Sequence, residues 1–126
     1  RNTFINSPLF IDGALSFRER PDIFIAGQLS GVEGYLESTA MGLVAGINAA
    51  RRVLGFPPVP VPGTTAHGAL VRYITESDPE HFQPSNINLG LFPPLEKRVK
   101  DRKLKRRLVA ERALADWDSY IARVKE

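Results

Sequence analysis

The sequence predicts an α/β fold, and three observations carry that expectation. Four apolar residues, Ile23-Phe24-Ile25-Ala26, stand between Arg20-Pro21-Asp22 and Gly27. A glycine-rich turn then feeds a segment, Gly34 to Leu54, with no charge between Glu37 and Arg51. Finally, Lys97 to Lys125 contains neither glycine nor proline. A short apolar run between breakers reads as a strand buried on both faces, as in a parallel sheet. The two longer segments read as helices. At 126 residues, 43% hydrophobic and 25% charged, one core is expected.

Residues 1–22 read as a connector. Thr3-Phe4-Ile5 and Leu9-Phe10-Ile11 are short extended pieces, and Asn6-Ser7-Pro8 and Asp12-Gly13 favour turns. The strand follows at 23–26. Within the helix 34–54, Gly34, Ser38, Gly42, Gly46 and Ala50 recur every fourth residue, a ridge of small side chains that predicts a close neighbour along it and burial over most of the helix surface. Arg51-Arg52 complement the dipole of its last turn, Gly55 supplies a residue that tolerates positive φ, and Pro57-Pro58 stop it. The Pro57–Pro62 stretch should run extended. Thr64 or Thr65 caps a short helix, 65–75, whose apolar face is Leu70, Val71 and Ile74. Residues 76–96, punctuated by Asp78-Pro79, Gln83-Pro84 and Pro93-Pro94, read as an ordered loop. The last helix, 97–126, should pack through a broken stripe of Leu104, Leu108, Leu114, Trp117, Ile121 and Val124.

Charge divides the chain. Residues 1–96 carry six Lys/Arg against nine Asp/Glu, and residues 97–126 carry eleven against five. The basicity therefore belongs to the tail, as for an element that faces a polyanion. Eight of its cations, Lys97, Arg98, Lys100, Arg102, Lys103, Lys105, Arg106 and Arg107, fall within eleven residues. On a helix, Arg98, Arg102, Lys105 and Arg106 share one face, which suits RNA phosphates or simply solvent. With no cysteine, this chain has no disulfide, thiolate nucleophile or Cys-based zinc site. His67 and His81 lack metal-ligand spacing. The longest apolar stretch, Met41 to Ala50, is shorter than the roughly 20 residues of a membrane span, and no targeting signal is seen, so cytoplasm is the expected compartment.

The crossing Gly27-Gln28-Leu-Ser-Gly31-Val32-Glu33-Gly34-Tyr35 places three glycines between strand and helix. Bare backbone there allows close approach to a ligand, and a helix start offers unpaired N–H groups to an anion or polar ring. Plain packing is the alternative use of such a turn. The string Phe24 to Glu37, then Ala45-Gly-Ile-Asn-Ala-Ala-Arg51, closely resembles the TrmFO family of FAD- and folate-dependent tRNA (uracil-5-)-methyltransferases. So do Ala69 to Thr75, the loop Phe82-Gln-Pro…Asn-Leu-Gly-Leu-Phe-Pro-Pro94 and the opening Arg1 to Pro8. The related tRNA-modifying MnmG (GidA) flavoproteins share the Ala-Gly-Gln, Gly-Tyr and Ala-Gly-Ile-Asn-Ala-Ala elements, and remain an alternative.

The resemblance implies that residues 1–96 are the C-terminal half of a Rossmann-like FAD-binding domain. Gly27 and Gln28 would approach the ribityl and pyrophosphate of FAD, while Gly31, Val32, Glu33, Gly34 and Tyr35 would lead the chain to the pyrimidine edge of the flavin. It further implies methylenetetrahydrofolate as carbon donor, NAD(P)H as reductant, tRNA as substrate, and Arg98, Arg102, Lys105 and Arg106 as its contacts. No catalytic residue is expected in this segment. The dinucleotide motif Gly-x-Gly-x-x-Gly is absent from this chain, so the adenine half is expected to be supplied by an upstream part of the same enzyme. A rival of another class is a stand-alone basic RNA-binding module in which the glycine turn only packs.

Overall fold

The computed structural model describes residues 3–126; Arg1 and Asn2 of the opening motif lie outside the described residues. Four helices follow in order: α1 (Ser7–Phe10), α2 (Tyr35–Val53), α3 (Ala66–Glu76) and α4 (Arg102–Lys125). Single 3-10 turns occupy Gln28–Ser30, Pro79–His81 and Leu89–Leu91. Among the described residues, extended backbone pairs only through isolated bridges: Ile11 with Phe17 and Ser16 with Phe24, both antiparallel, and Val32 with Ser85, parallel. The α/β expectation is therefore met in its helices and not in a sheet.

Residues 23–26 are extended without forming a strand. Phe24 bridges Ser16, and the Ile25 N–H donates to the Leu15 carbonyl at 2.9 Å. Pairing is antiparallel and one-sided, with residues 11–17, so Ile25 is buried while Ile23 stays 42% exposed. The expected burial on both faces needs a second neighbour, which the described residues do not supply. Upstream, Leu9-Phe10 is not extended either. Pro8 opens the single turn of α1, closed by the Ile11 N–H on the Ser7 carbonyl at 2.8 Å. Leu15, fully buried, sits at φ 65, a conformation that costs most side chains about 1 kcal/mol. Asp12 holds it there, its carboxylate accepting the N–H groups of Ala14 at 3.0 Å and Ser16 at 3.1 Å.

The core joins Ile11, Leu15, Ile25, Val32, Met41, Val44, Leu70, Val71, Ile74 and Phe82. Each large side chain fully buried in it is worth roughly 1.5–3 kcal/mol. From α2 it takes one face only, Met41, Val44, Ala45 and Asn48, spaced three and four apart. Asn48 also donates to the Ala14 carbonyl at 3.0 Å, tying α2 to the Asp12 turn. From α3 it takes Leu70, Val71 and Ile74. Thr65 caps that helix, its hydroxyl accepting the Gly68 N–H at 2.9 Å.

The ridge of small residues on α2 is open. A Cβ built on Gly42 or Gly46 meets nothing within 4 Å, and Leu36, Leu43, Val53 and Leu54 are exposed nearby. The expected close neighbour along it and burial over most of α2 are thus not found among the described residues. The physical reason is reach: α3, residues 11–25 and Phe82 pack on the opposite face. Gly46→Ala in this chain should therefore raise stability by about 1 kcal/mol, the helix-propensity gain with no clash to offset it. A urea titration of the two chains checks this.

The last helix starts at Arg102, five residues later than the lack of glycine and proline predicts. Asp101 is its N-cap, accepting the Lys103 N–H at 3.0 Å. Its C-terminal half docks on the body. Trp117 stacks on His67 at 4.1 Å, burial lowers the His67 pKa, and Tyr120 packs beside Trp117 at 5.0 Å. Thr64 donates to Asp116 at 2.5 Å, Arg112 to the Pro93 and Pro94 carbonyls at 2.6 and 3.0 Å, and Arg51 to the Val124 carbonyl at 3.1 Å. Val109 and Tyr120 are the buried residues of α4, whereas Leu114 of the anticipated stripe is exposed.

Candidate functional site

The glycine turn is built from backbone. Gly27, at φ 86, turns the extended segment into the 3-10 turn, where its carbonyl accepts the Ser30 N–H at 3.0 Å and the Ser30 hydroxyl at 2.6 Å. Ser30 is fully buried, and its own carbonyl accepts the Ser7 hydroxyl at 2.6 Å. Gln28 and Leu29 are left on the outside of the turn. The chain then dives inward: Val32 is wholly buried in the core, and a Cβ on Gly31 would lie 2.4 Å from the Phe82 ring. Gly31 and Val32 are thus the packed side of the turn, and their side-chain positions are closed to a ligand.

The chain re-emerges at Gly34, φ 98, the N-cap of α2. Gly34 and Tyr35 are exposed, Tyr35 retaining 97% of its surface, with the Glu37 carboxylate and the Asn86 amide lying beside Gly34. The first N–H groups of a helix have no carbonyl beneath them. Gln28, Glu33, Gly34 and Tyr35 therefore form the open side of the turn.

A second segment closes on this turn. The Glu33 N–H donates to the Ser85 carbonyl at 2.9 Å and the Ser85 N–H to the Gly31 carbonyl at 3.0 Å. The Glu37 carboxylate accepts the Ile87 N–H at 3.2 Å and the Asn86 amide at 3.4 Å. Its pKa is held below the usual carboxylate range, first by the N–H of its own residue at the helix start, then by Ile87 and Asn86, against an opposing desolvation. The sequence placed residues 82–92 in a loop, but no spacing rule joined that loop to the glycine turn 50 residues earlier.

The basic residues assemble differently from a single helix face. Arg98 precedes the Asp101 cap, so it is not on α4. The segment before α4 nevertheless brings Arg98, Arg102 and Lys105 to one surface groove of about 630 Å³, together with Lys97, Lys100 and the acidic Glu96. Arg106 is exposed on the next part of α4 and does not line that groove. None of these cations pairs with a carboxylate among the described residues. No group of His, Asp and Glu among the described residues is arranged to hold a metal ion, and no helix is long and apolar enough to cross a membrane.

The described residues thus bring together a glycine turn at a helix start, a second loop that braces it and, apart from both, a basic groove. Comparison with known proteins shows what the chain resembles. The family described as "Glucose inhibited division protein A" (GIDA) matches residues 1–57, which include the whole turn. The methylenetetrahydrofolate–tRNA-(uracil-5-)-methyltransferase TrmFO of Pelotomaculum thermopropionicum is 55% identical over 120 residues, covering 95% of this chain and 28% of that protein. The TrmFO of Symbiobacterium thermophilum is 56% identical over 115 residues, covering 90% and 26%, and that of Natranaerobius thermophilus is 54% identical over 123 residues, covering 98% and 28%. The resemblance to TrmFO read from the motifs is thus borne out across essentially the whole chain. The chain itself spans little more than a quarter of the length of these relatives.

Proposed function

We propose that this chain is the cofactor-edge and tRNA-facing segment of an FAD- and folate-dependent enzyme that methylates C5 of a tRNA uridine in the cytoplasm. The observation that carries this reading is the identity of about half to TrmFO over 90–98% of the chain, which takes in the open turn and the loop that braces it. What supports a flavin there is a turn whose positive φ at Gly27 and Gly34 calls for glycine, so that no Cβ stands at either position, and an exposed Tyr35 side chain. When bound, FAD would supply electron and one-carbon transfer from methylenetetrahydrofolate to the uridine, with NAD(P)H as reductant. Gly27 and Gln28 would hold the ribityl and pyrophosphate portion. The N–H groups at Gly34 and Tyr35 would stabilise negative charge at the pyrimidine edge of the ring, an arrangement already oriented before reaction.

The rest of the same enzyme would supply the adenine half of the domain, the second neighbour of residues 23–26 and the cover of the α2 ridge. That cover explains exposed Leu36, Leu43 and Val53 beside glycines that otherwise cost helix stability. A GidA-like activity is the second reading, favoured by the family match over residues 1–57. The similarity to TrmFO continues through the 82–94 loop and α4, which weighs against it.

The test uses the full-length protein that contains this segment. It should purify with flavin absorbance and transfer a methyl group from methylenetetrahydrofolate to tRNA, whereas these 126 residues alone should retain little or no FAD. Tight stoichiometric flavin binding by the 126-residue chain, or a flavin-free full-length protein, overturns the proposal.

A further inference from the structure

We infer that Glu37 is a positioning residue: its carboxylate latches the 85–91 loop to the glycine turn, making that loop a wall of the cleft in which the folate substrate is oriented. This rests on the flavin reading above and adds a residue and a role to it. Acidic residues favour the first turn of any helix, so the position of Glu37 alone says nothing. Its partners do. The carboxylate reaches across 50 residues of sequence to the Ile87 N–H at 3.2 Å, a charge-assisted bond to backbone, with the longer Asn86 contact at 3.4 Å beside it.

The latch completes a zipper. Ser85 exchanges backbone hydrogen bonds with Gly31 and Glu33, at 3.0 and 2.9 Å, and pairs beside Val32. Beyond Ser85 that pairing ends, and the next hold on the loop is Glu37. Further along, the loop stabilises itself: Asn88 accepts the Gly90 N–H at 2.9 Å and donates to the Asn86 carbonyl at 3.3 Å. The loop is thus a preformed unit, docked by hydrogen bonds through Ser85 and Glu37 and by the packing of Ile87 and Leu91 against the core. Gly34 is where the two pieces come closest, since a Cβ there would lie 2.2 Å from the Glu37 carboxylate and 2.9 Å from the Asn86 amide. The open turn and the latched loop therefore share one edge, and a flavin edge held at Gly34 and Tyr35 would have Asn86 and Ile87 beside it. Ile87 also lines the end of an apolar groove of about 540 Å³ between α2 and α3, with Leu36, Leu43 and His67, so release of the loop would open that groove too.

The experiment compares Glu37→Ala and Glu37→Gln in the full-length enzyme, reading amide hydrogen exchange at residues 85–91, flavin content, and KM and kcat for methylenetetrahydrofolate. In Glu37→Ala, exchange at Ile87 should speed up about tenfold, and KM should rise about tenfold with kcat within about twofold and flavin content unchanged, as for loss of one charge-assisted hydrogen bond. Glu37→Gln keeps an acceptor oxygen and should recover most of both. Unchanged Ile87 exchange in Glu37→Ala overturns the latch. Loss of flavin from both variants with loop exchange unchanged also overturns it, by making Glu37 a direct cofactor contact. A wild-type protein without flavin sinks the functional reading alone, since loop exchange is measured without cofactor or substrate.

Discussion

Gly68→Ala should leave little folded protein, a loss of about 3 kcal/mol or more. In an exposed helix the same change stabilises by about 1 kcal/mol, because alanine is the better helix former. At Gly68 the added Cβ would lie 1.9 Å from the Pro62 carbonyl oxygen and 2.4 Å from its carbon, with the Val61 carbonyl at 2.9 Å. Both neighbours are backbone, and that carbonyl cannot swing aside cheaply. The Pro62 oxygen already accepts the Thr65 N–H at 3.0 Å and the Thr65 hydroxyl at 2.6 Å, the bonds that set up the cap of α3. Relieving the clash means pulling α3 off the Val61-Pro62 segment and so withdrawing Leu70, Val71 and Ile74 from the core. Overpacking and core disruption act together there, which places the effect at the upper end for single substitutions. Urea unfolding beside Gly46→Ala gives the contrast, one glycine against backbone and the other in open space. Equal effects of the two substitutions would contradict the packing of α3 described here.

That contrast also marks what the sequence disclosed. The period-four glycines were legible as a ridge, but periodicity cannot say which neighbour fills it; Gly42 and Gly46 face open space, while Gly68, in no pattern, carries a close backbone contact. The end of α2 was readable because its signals are local: Arg51-Arg52, then Gly55 at φ 83. The Thr65 cap was readable for the same reason. The strand at 23–26 failed because a strand is defined by its partners, and composition names none. The helix start at Asp101 was missed for a subtler reason: a run free of glycine and proline permits a helix without saying where its first hydrogen bond forms. In the site, the glycines and Tyr35 announced a turn by residue type. The partners of Glu37 were not legible, since Asn86 and Ile87 are distant in sequence and one of them contributes only its backbone.

Neutralising the basic groove should have the second large effect, on RNA. Arg102 and Lys103 open α4, where the positive end of the dipole disfavours cations, and the capping carboxylate of Asp101 offsets them only in part. Each such charge costs the helix about 0.3–1 kcal/mol at low salt. Sequestered carboxylates do not explain them either, as Arg98, Arg102, Lys105 and Arg106 have none paired to them among the described residues. The arrangement is therefore uneconomical for an isolated helix and would be relieved by bound phosphates. The combined change Arg98→Gln, Arg102→Gln, Lys105→Gln and Arg106→Gln in the full-length protein should flatten the dependence of log affinity for tRNA on log salt by about 3, worth roughly 100-fold between 50 and 200 mM salt. Because Arg102 opposes the dipole and none of the four cations is paired with a carboxylate among the described residues, the variant should melt no lower than the parent, which separates lost contacts from lost folding. Arg98, Arg102 and Lys105 line one groove and Arg106 does not, so restoring the first three alone should recover most of the salt slope. If affinity and slope stay at wild-type values in the fourfold variant, the groove is a solvated surface, and tRNA must be met by another part of the enzyme.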